Sequence, residues 1–273
     1  MIKQAIIPLA GLGTRLLPLT TVIPKELLPI CGKPSLEYIL DECIKSGIKE
    51  IIFIISKKKE SIKHYFYNDA FYKKLIKKKP TDKRLKNEYL KIKRYKKMIK
   101  FVYQNSPKGT GDAVLKCRNY IKSDFFLMLM PDDLIINNNC SASLIKLHNK
   151  FKSSIIASRK VSNSSVSRWG IFKIKKIDKN NFFIKDVVEK PTIKSAPSNY
   201  AVIGRYILPK KIFNILKKQK PGQNGEIHIT DAIRTLINKK NKFYGHIFAG
   251  KYLDCGSMNG YINSTLEVSK LKI

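Results

Sequence analysis

The first 55 residues alternate short apolar runs with a glycine-rich loop and an amphipathic segment. The run over 4–9 is short and bounded by Gly11, so it predicts a buried strand. Apolar residues over 36–44 recur at helical spacing, and Gly47 is placed to end that helix. Glu50–Ile55 predicts the next buried strand. This order opens a βαβ unit, and such units almost always build a parallel sheet with right-handed crossovers.

The same alternation continues along the chain. Segment 69–98 has helical character and is very basic, so we expect a surface excursion there. The sequence shows no Gly/Ser linker, internal repeat or heptad pattern. We expect one α/β domain over 1–273, with a Rossmann-like, mixed and mainly parallel sheet flanked by helices. Further strands are predicted over 99–103, 125–130, 154–158, 170–174, 182–188 and 200–207, and further helices after Gly111 and over 210–217 and 231–238.

The charge is strongly positive, with 54 Lys and Arg against 20 Asp and Glu, a net charge of +34. Such a balance raises the hypothesis of nucleic-acid binding. Lysine supplies nearly all of the excess and is spread over the whole chain. Proteins that read nucleic acids usually concentrate arginine and aromatic residues on one face. We therefore expect solvated lysine surfaces, weak nonspecific polyanion binding at low salt, and no specific nucleic-acid partner.

Cysteine and apolar patterns indicate the compartment. The cysteines are odd in number, scattered and without a C-x-x-C pair, which favours neither a disulfide framework nor a zinc site. No stretch approaches the roughly 18 apolar residues of a membrane span, and the N-terminus lacks a signal-peptide pattern. We expect a cytoplasmic protein without a membrane partner. The cysteines are Cys31, Cys43, Cys117, Cys140 and Cys255.

The loop after the first strand carries the first candidate chemistry. It contains Gly11-Leu-Gly13, and glycines at the carboxyl end of a strand let backbone N–H groups approach phosphates or a base. Thr14 and Arg15 stand where a dinucleotide fingerprint would have a third glycine, and no Gly-Lys-Ser/Thr follows to make a Walker A loop. Arg15 and Lys25 could hold a polyphosphate from separate directions.

The loop after the first strand resembles the signature of the nucleoside-diphosphate-sugar pyrophosphorylases in two segments, Gly11-Leu-Gly-Thr-Arg15 and Pro24-Lys-Glu26. The particular residues in these segments are similar to those of the bacterial UTP-glucose-1-phosphate uridylyltransferases. Seven further segments match the family in order through nearly the whole chain. They are Lys108-Gly-Thr-Gly-Asp-Ala-Val114, Leu129-Met-Pro-Asp132, Val188-Glu-Lys-Pro191, Pro197-Ser-Asn199, Val202-Ile-Gly-Arg-Tyr206, Gly225-Glu-Ile-His-Ile-Thr-Asp-Ala232 and Leu253-Asp-Cys-Gly-Ser257. The resemblance implies the nucleotide-diphospho-sugar transferase fold, with 1–135 mainly binding nucleotide and 136–273 mainly binding sugar.

The resemblance also implies a role for individual residues. Arg15 and Lys25 would hold the triphosphate, and Lys190 would steer the attacking phosphate, so these three are the candidate catalytic residues. Asp132 and Asp254 would hold Mg²⁺, because two carboxylates plus substrate phosphates match how this ion is usually bound. The implied nucleotide contacts are Ala10, Gly11, Gly13, Gln104 and Gly109, the last two reading the uracil edge. The implied sugar contacts are Gly170, Glu189, Lys190 and Asn199.

The implied reaction joins UTP to glucose 1-phosphate and releases pyrophosphate. A phosphate monoester is largely dianionic at neutral pH, so it can attack the α-phosphorus in line without a protein nucleophile or base. The family resemblance further implies a homo-oligomer, a dimer or a tetramer. Two other functions stay open, a related sugar-1-phosphate nucleotidyltransferase of different specificity and a catalytically silent regulatory relative.

One residue departs from the family pattern. Asp112 stands where the closest relatives lead us to expect histidine. An additional carboxylate there could lower the affinity for UTP, or it could turn outward without effect.

Overall fold

The computed structural model describes residues 2–222 and 225–271. In chain order, the strands of this part of the chain are β1 Gln4–Pro8, β2 Pro29–Ile30, β3 Lys33–Pro34, β4 Glu50–Ile55, β5 Ile99–Tyr103, β6 Phe125–Leu129, β7 Asp133–Ile136, β8 Ser154–Lys160, β9 Gly170–Lys176, β10 Asn181–Glu189, β11 Tyr200–Pro209, β12 Phe243–Ile247 and β13 Lys251–Asp254. The helices are α1 Ser35–Lys45, α2 Glu60–Tyr67, α3 Asp69–Lys78, α4 Lys83–Met98, α5 Thr110–Lys116, α6 Cys140–Phe151, α7 Ile212–Leu216, α8 Ile229–Asn238 and α9 Met258–Ser269.

Within the described residues, a central sheet has nine strands in the order β5-β4-β1-β6-β11-β8-β12-β10-β9. Strands β5, β4, β1 and β6 pair in parallel, as the βαβ pattern predicts. β11 runs antiparallel between β6 and β8, while β12 is parallel to β8. The expected Rossmann-like α/β fold with a mixed sheet is therefore confirmed. The expectation that the sheet is mainly parallel is wrong, because four of its described strand pairs are parallel and five are antiparallel. Because β11 comes from the second half of the chain, one sheet crosses both halves, and their division into nucleotide and sugar halves stays a prediction.

The central strands β1, β4, β6 and β11 are buried on both faces of the sheet. Successive side chains of a strand point to opposite faces, so Ala5 and Ile7 enter one core and Ile6 enters the other. The first core is covered by α1, α2, α4, α6 and α9, and the second by α5, α7 and α8. A continuous apolar run such as 51–55 in β4 follows from this two-sided burial.

The basic segment 69–98 forms two helices, α3 and α4, with Pro80 between them. As expected, this segment lies at the surface, since α3 has no buried residue and α4 has two. Ile92 and Tyr95 of α4 are buried, and the Tyr95 hydroxyl donates a 2.6 Å hydrogen bond to Asp41 of α1. Among the described residues, none of the helices is both long and apolar enough to cross a membrane.

Two pairings bring distant chain segments to one edge of the sheet. β1 and β6 lie side by side in parallel, so the loops that follow them emerge at the same edge. The short strands β7 and β13 pair antiparallel with Asp133 opposite Asp254. The glycine loop, the segment around Asp132 and the C-terminal carboxylate Asp254 therefore meet at this edge.

Candidate active site

A cavity of about 410 Å³ opens beside the glycine loop, and we call it the loop cavity. Gly13 has a φ of 73°, in the left-handed region that favours glycine, and its carbonyl accepts a 2.9 Å hydrogen bond from the Thr20 hydroxyl. The loop turns tightly at this point. The cavity is lined by all five residues expected to contact a nucleotide, namely Ala10, Gly11, Gly13, Gln104 and Gly109.

Gly109 lies where the backbone of a later segment comes close. A Cβ at this position would lie 2.6 Å from the carbonyl oxygen of Ile227, and the Gly109 φ of 97° is also unfavourable for other residues. The Gly111 N–H donates to the same Ile227 carbonyl over 2.7 Å. These contacts fix the start of α5 against the segment around Glu226, which also lines the loop cavity.

Asp132 lies at the centre of the site, three residues after β6 ends. Its Oδ2 is 2.8 Å from Lys25 Nζ and 3.4 Å from Arg15 Nη2. Burial by itself would raise the pKa of Asp132, but Lys25 and Arg15 outweigh burial and hold that pKa below its usual value. Burial would likewise lower the pKa of Lys25, yet Asp132 keeps it above the ordinary lysine value. Both groups are therefore charged at neutral pH.

Asp254 ends β13 beside Asp132, and Gly256 lies between the two carboxylates. A Cβ at Gly256 would lie 2.7 Å from Asp132 Oδ2, 3.1 Å from Asp254 Oδ1 and 2.6 Å from Arg15 Nη2. Both carboxylates thus face one small space that only glycine leaves open. Arg168 approaches Asp254 Oδ2 at 3.7 Å from the other side.

That space belongs to a second cavity of about 310 Å³, which we call the aspartate cavity. Its two predicted metal ligands are oxygen donors, the type that Mg²⁺ prefers. Among residues 2–222 and 225–271, no group of three or more His, Cys, Asp or Glu side chains could enclose a metal by itself. The residues therefore fit an ion that takes its remaining ligands from phosphates and water. The lining residues are Arg15, Asp132, Asp133, Arg168, Trp169, Tyr252 and Asp254.

Asp133 is the neighbour that the sequence analysis did not single out. Its carboxylate accepts hydrogen bonds from the Tyr252 hydroxyl at 2.7 Å and from the Gly204 N–H at 2.8 Å. Burial and the adjacent Asp132 charge raise the pKa of Asp133 to about 6. These bonds tie β7 to β11 and to β13, so Asp133 supports the segment from which Asp132 projects.

Arg205, in the middle of β11, also holds that segment. Its side chain is 0% exposed, and it donates to the carbonyl oxygens of Met130 at 3.2 Å and Asp133 at 2.7 Å, on either side of Asp132. Its charge is balanced by Glu42 of α1, at 2.8 Å. The motif Val202-Ile-Gly-Arg-Tyr206 thus has a structural reason, because its arginine fixes the backbone around the central carboxylate.

A third cavity, of about 260 Å³, lies at the start of β9 and the end of β10, beside the middle of β11, and we call it the strand-end cavity. Gly170, Glu189 and Lys190 line it. The Thr230 hydroxyl donates a 2.6 Å hydrogen bond to Glu189 Oε2, and a Cβ at Gly170 would lie 3.2 Å from that same oxygen. Glycine at this position therefore leaves the Glu189 carboxylate accessible.

Asn199 is the one expected sugar contact that does not line the strand-end cavity. Its carbonyl accepts a 3.0 Å hydrogen bond from the Val161 N–H, which ties the start of β11 to the end of β8. A sugar contact by Asn199 stays a prediction.

Several site residues had no role assigned from the sequence. Arg168 and Trp169 line the aspartate and strand-end cavities, and neither stands in a distinctive motif. Glu26 lines the loop cavity, is 2% exposed and accepts two 2.8 Å hydrogen bonds from Lys59. Thr230 lies within the segment 225–232, which resembles the family, so this resemblance could have indicated a role for Thr230.

Comparisons with known proteins agree over nearly the full length. The family model described as Nucleotidyl transferase matches residues 4–270. A relative from Bacillus subtilis named UTP-glucose-1-phosphate uridylyltransferase is 37% identical, covering 97% of this chain and 90% of that protein. A solved structure described as UDP-glucose pyrophosphorylase complexed with UDP-glucose is 36% identical, has a TM-score of 0.86 and covers 99% of both chains. A UTP-bound UGPase from Acinetobacter baumannii is 32% identical, with a TM-score of 0.87 and coverage of 98% and 93%.

Proposed function

The chain belongs to the nucleotidyl transferase family, and from this premise we propose that it transfers the uridylyl group of UTP to glucose 1-phosphate, forming UDP-glucose and pyrophosphate. Relatives named for this reaction are similar over almost the whole chain. The observation that carries the proposal is the arrangement of three adjoining cavities around one carboxylate. Asp132 lines the loop cavity, the aspartate cavity and the strand-end cavity.

The loop cavity suits the nucleotide and the strand-end cavity suits the sugar phosphate. Backbone at Gly11 and Gly13 can approach the nucleotide closely, since neither residue has a side chain in the way. Glu189, held by Thr230, offers carboxylate oxygens to sugar hydroxyls, and Lys190 offers a cation to the sugar's phosphate. The two reacting groups would then meet near Asp132.

The chemistry requires alignment and charge neutralisation more than a protein nucleophile. The glucose 1-phosphate dianion attacks the α-phosphorus of UTP, one phosphoanhydride bond forms and another breaks, and pyrophosphate leaves with the electron pair. Arg15 and Lys25 stabilise the charge that moves onto pyrophosphate, and Lys190 steers the attacking phosphate. Because one phosphoanhydride replaces another, we expect a freely reversible reaction.

Members of this family generally use a divalent metal ion, and we propose Mg²⁺ held by Asp132 and Asp254. Both carboxylates face the space beside Gly256, which supports this assignment. When bound, the ion would supply positive charge to the phosphate oxygens of the nucleotide. We further propose a cytoplasmic homo-oligomer, a dimer or a tetramer. Val22, which is 82% exposed, and Leu17, which is 54% exposed, are consistent with a covered surface in such an assembly.

Substrate choice is the direct test of the proposal. Purified protein is incubated with UTP, Mg²⁺ and each of a panel of sugar 1-phosphates, and pyrophosphate release is measured. We expect glucose 1-phosphate to exceed the galactose, mannose and N-acetylglucosamine 1-phosphates by at least about tenfold in kcat/KM, because sugar hydroxyls paired with buried groups discriminate strongly. The same reaction without Mg²⁺ should release almost no pyrophosphate. Preference for another sugar 1-phosphate would support the alternative of a related nucleotidyltransferase with different specificity. Absence of turnover with every sugar 1-phosphate would support the alternative of a catalytically silent regulatory relative.

The space beside Gly256 gives a second test. Gly256→Ala should place a methyl group against Asp132 and Asp254 and push the carboxylates apart. We expect the Mg²⁺ concentration for half-maximal rate to rise by about 10- to 100-fold, the usual effect of disturbing the support of metal ligands. Thermal unfolding without substrates should change little, since Arg15 has a flexible end that can move. An unchanged Mg²⁺ requirement would remove Asp132 and Asp254 from the metal site.

A further inference from the structure

The amide of Gln104 is held from inside the protein. Its Nε2 is 2.6 Å from Asp112 Oδ2, in a hydrogen bond between two buried side chains, and 3.5 Å from the carbonyl oxygen of Gly109. Gln104 lines the loop cavity, whereas Asp112 does not. Asp112 therefore does not line the cavity itself, and its hydrogen bond to Gln104 connects it to the cavity. The outward orientation considered for Asp112 is wrong, because its side chain is only 11% exposed and its Oδ2 faces Gln104.

The Asp112 carboxylate allows the Gln104 amide only one orientation. The two ends of a glutamine amide have nearly the same shape, so packing alone does not distinguish them. A carboxylate only accepts hydrogen bonds, so the NH₂ end must face Asp112. The reversed amide would place two acceptors against each other in a buried site, at the cost of a lost hydrogen bond and an unpaired polar group.

Both N–H groups of Gln104 Nε2 are directed at protein oxygens. The Oε1 atom of Gln104 is therefore the polar group that remains for a ligand. Among the described residues, no protein donor is paired with Oε1. The loop cavity therefore presents a fixed acceptor at this position. A ligand whose edge carries an N–H donor would complete the pair, and one whose edge carries a lone pair would meet a like group.

We propose that Asp112 is a positioning residue that sets base selectivity, by fixing Gln104 so that the site accepts uracil and rejects cytosine. This inference rests on the proposed function, since it assumes that the loop cavity holds the base of the nucleotide. Uracil carries a ring N3–H donor, whereas N3 of cytosine is an acceptor. Facing Gln104 Oε1, cytosine leaves two buried acceptors unpaired, which is the kind of mismatch that discriminates most strongly.

Asp112→Asn tests the proposal with almost no change of shape. Lys116 Nζ lies 3.7 Å from the Asp112 oxygen that faces away from Gln104, so it would attract the oxygen of the new amide. The new NH₂ group would then face Gln104 and favour the reversed orientation. We expect the ratio of kcat/KM for UTP to that for CTP to fall by at least about tenfold, because the cytosine-competent orientation becomes well populated.

Two further variants separate orientation from general damage. Lys116→Ala keeps the Asp112 carboxylate, so we expect the UTP-to-CTP ratio to stay within about twofold of the unmodified protein. Gln104→Leu removes the group that Asp112 orients. Adding Asp112→Asn to Gln104→Leu should therefore change the ratio no further, as a double-mutant cycle for two coupled residues predicts.

An unchanged ratio in Asp112→Asn would overturn the proposal, and so would an equal loss in the Gln104→Leu background. Equilibrium binding of UTP and CTP is measured in parallel with turnover. If the unmodified protein binds UTP over CTP but makes no UDP-glucose, the proposed reaction fails while the binding ratios of the variants still test Asp112. If it binds neither nucleotide, both the reaction and the role of Asp112 are refuted.

Discussion

Asp132→Asn is expected to lower kcat by roughly 100- to 1000-fold, because Asp132 would hold the metal ion and orients Lys25, and losing one such source of transition-state stabilisation usually costs this much. The substitution preserves the shape of the side chain but removes the negative charge that all three cavities share. It would also weaken the orientation of Lys25 and Arg15, which both approach Asp132 Oδ2. Lys25→Ala should cause a loss of similar size, since it removes the cation nearest to Asp132.

Steady-state kinetics with UTP and glucose 1-phosphate provide the measurement, and circular dichroism reports on folding. Asp186→Asn is a matched control, because Asp186 also pairs with a cation, Arg234 at 3.0 Å, but lies outside the three cavities. We expect the control to keep nearly full activity. Near-normal turnover in both Asp132→Asn and Lys25→Ala would contradict the assigned roles.

Arg205→Met is expected to reduce the free energy of unfolding by about 3–5 kcal/mol, the usual cost of removing one partner from a buried ion pair. The Glu42 carboxylate would stay buried and charged, with hydrogen bonds only from Ser141. The Ser141 backbone N lies 3.0 Å and its Oγ 2.5 Å from Glu42 Oε1. The carbonyls of Met130 and Asp133 would lose their donor as well. Chemical denaturation with an unchanged m-value would measure the loss.

Arg234→Met is the control, because it breaks a half-exposed pair with Asp186 and should cost no more than about 1 kcal/mol. A double variant, Glu42→Met with Arg205→Met, separates stability from positioning. It should recover part of the stability, since no unpaired charge stays buried. We expect a reduced kcat in both Arg205→Met and the double variant, because in each the backbone on both sides of Asp132 has lost the donors of Arg205. Full activity in the double variant would mean that Arg205 serves stability alone.

The strands of the central sheet were the most predictable part of the fold, and β12 is the one of its nine described strands that was not predicted. Glu50–Ile55 and Ile99–Tyr103 were predicted with the bounds that the structure has. Each is a short, mostly apolar run, and this pattern is local. The pairs β2–β3 and β7–β13 were missed. Their strands have two to four residues, too few to carry a period, and they form only because their partners are close.

Most of the candidate site could be predicted because its residues stand in motifs next to strand ends. All five expected nucleotide contacts line the loop cavity, and Glu189, Lys190 and Gly170 line the strand-end cavity. Arg168 and Asp133 were missed, since a lone charged residue in a chain with 27% charged residues gives no distinct signal. Asp112 was noticed as a departure from the family pattern, but its partner Gln104 could not be inferred.

The sequence by itself determined the α/β class, the glycine loop, the order of the motifs and the excess of positive charge. These follow from local periodicity and residue type, which a single strand or loop expresses without its neighbours. Only the tertiary structure decided which charges face each other. The ion pair of Lys25 with Asp132, the bonds from Arg205 to the backbone on both sides of Asp132 and the orientation of Gln104 by Asp112 each join residues through space. Such pairs depend on strand order and side-chain packing, which no local pattern encodes.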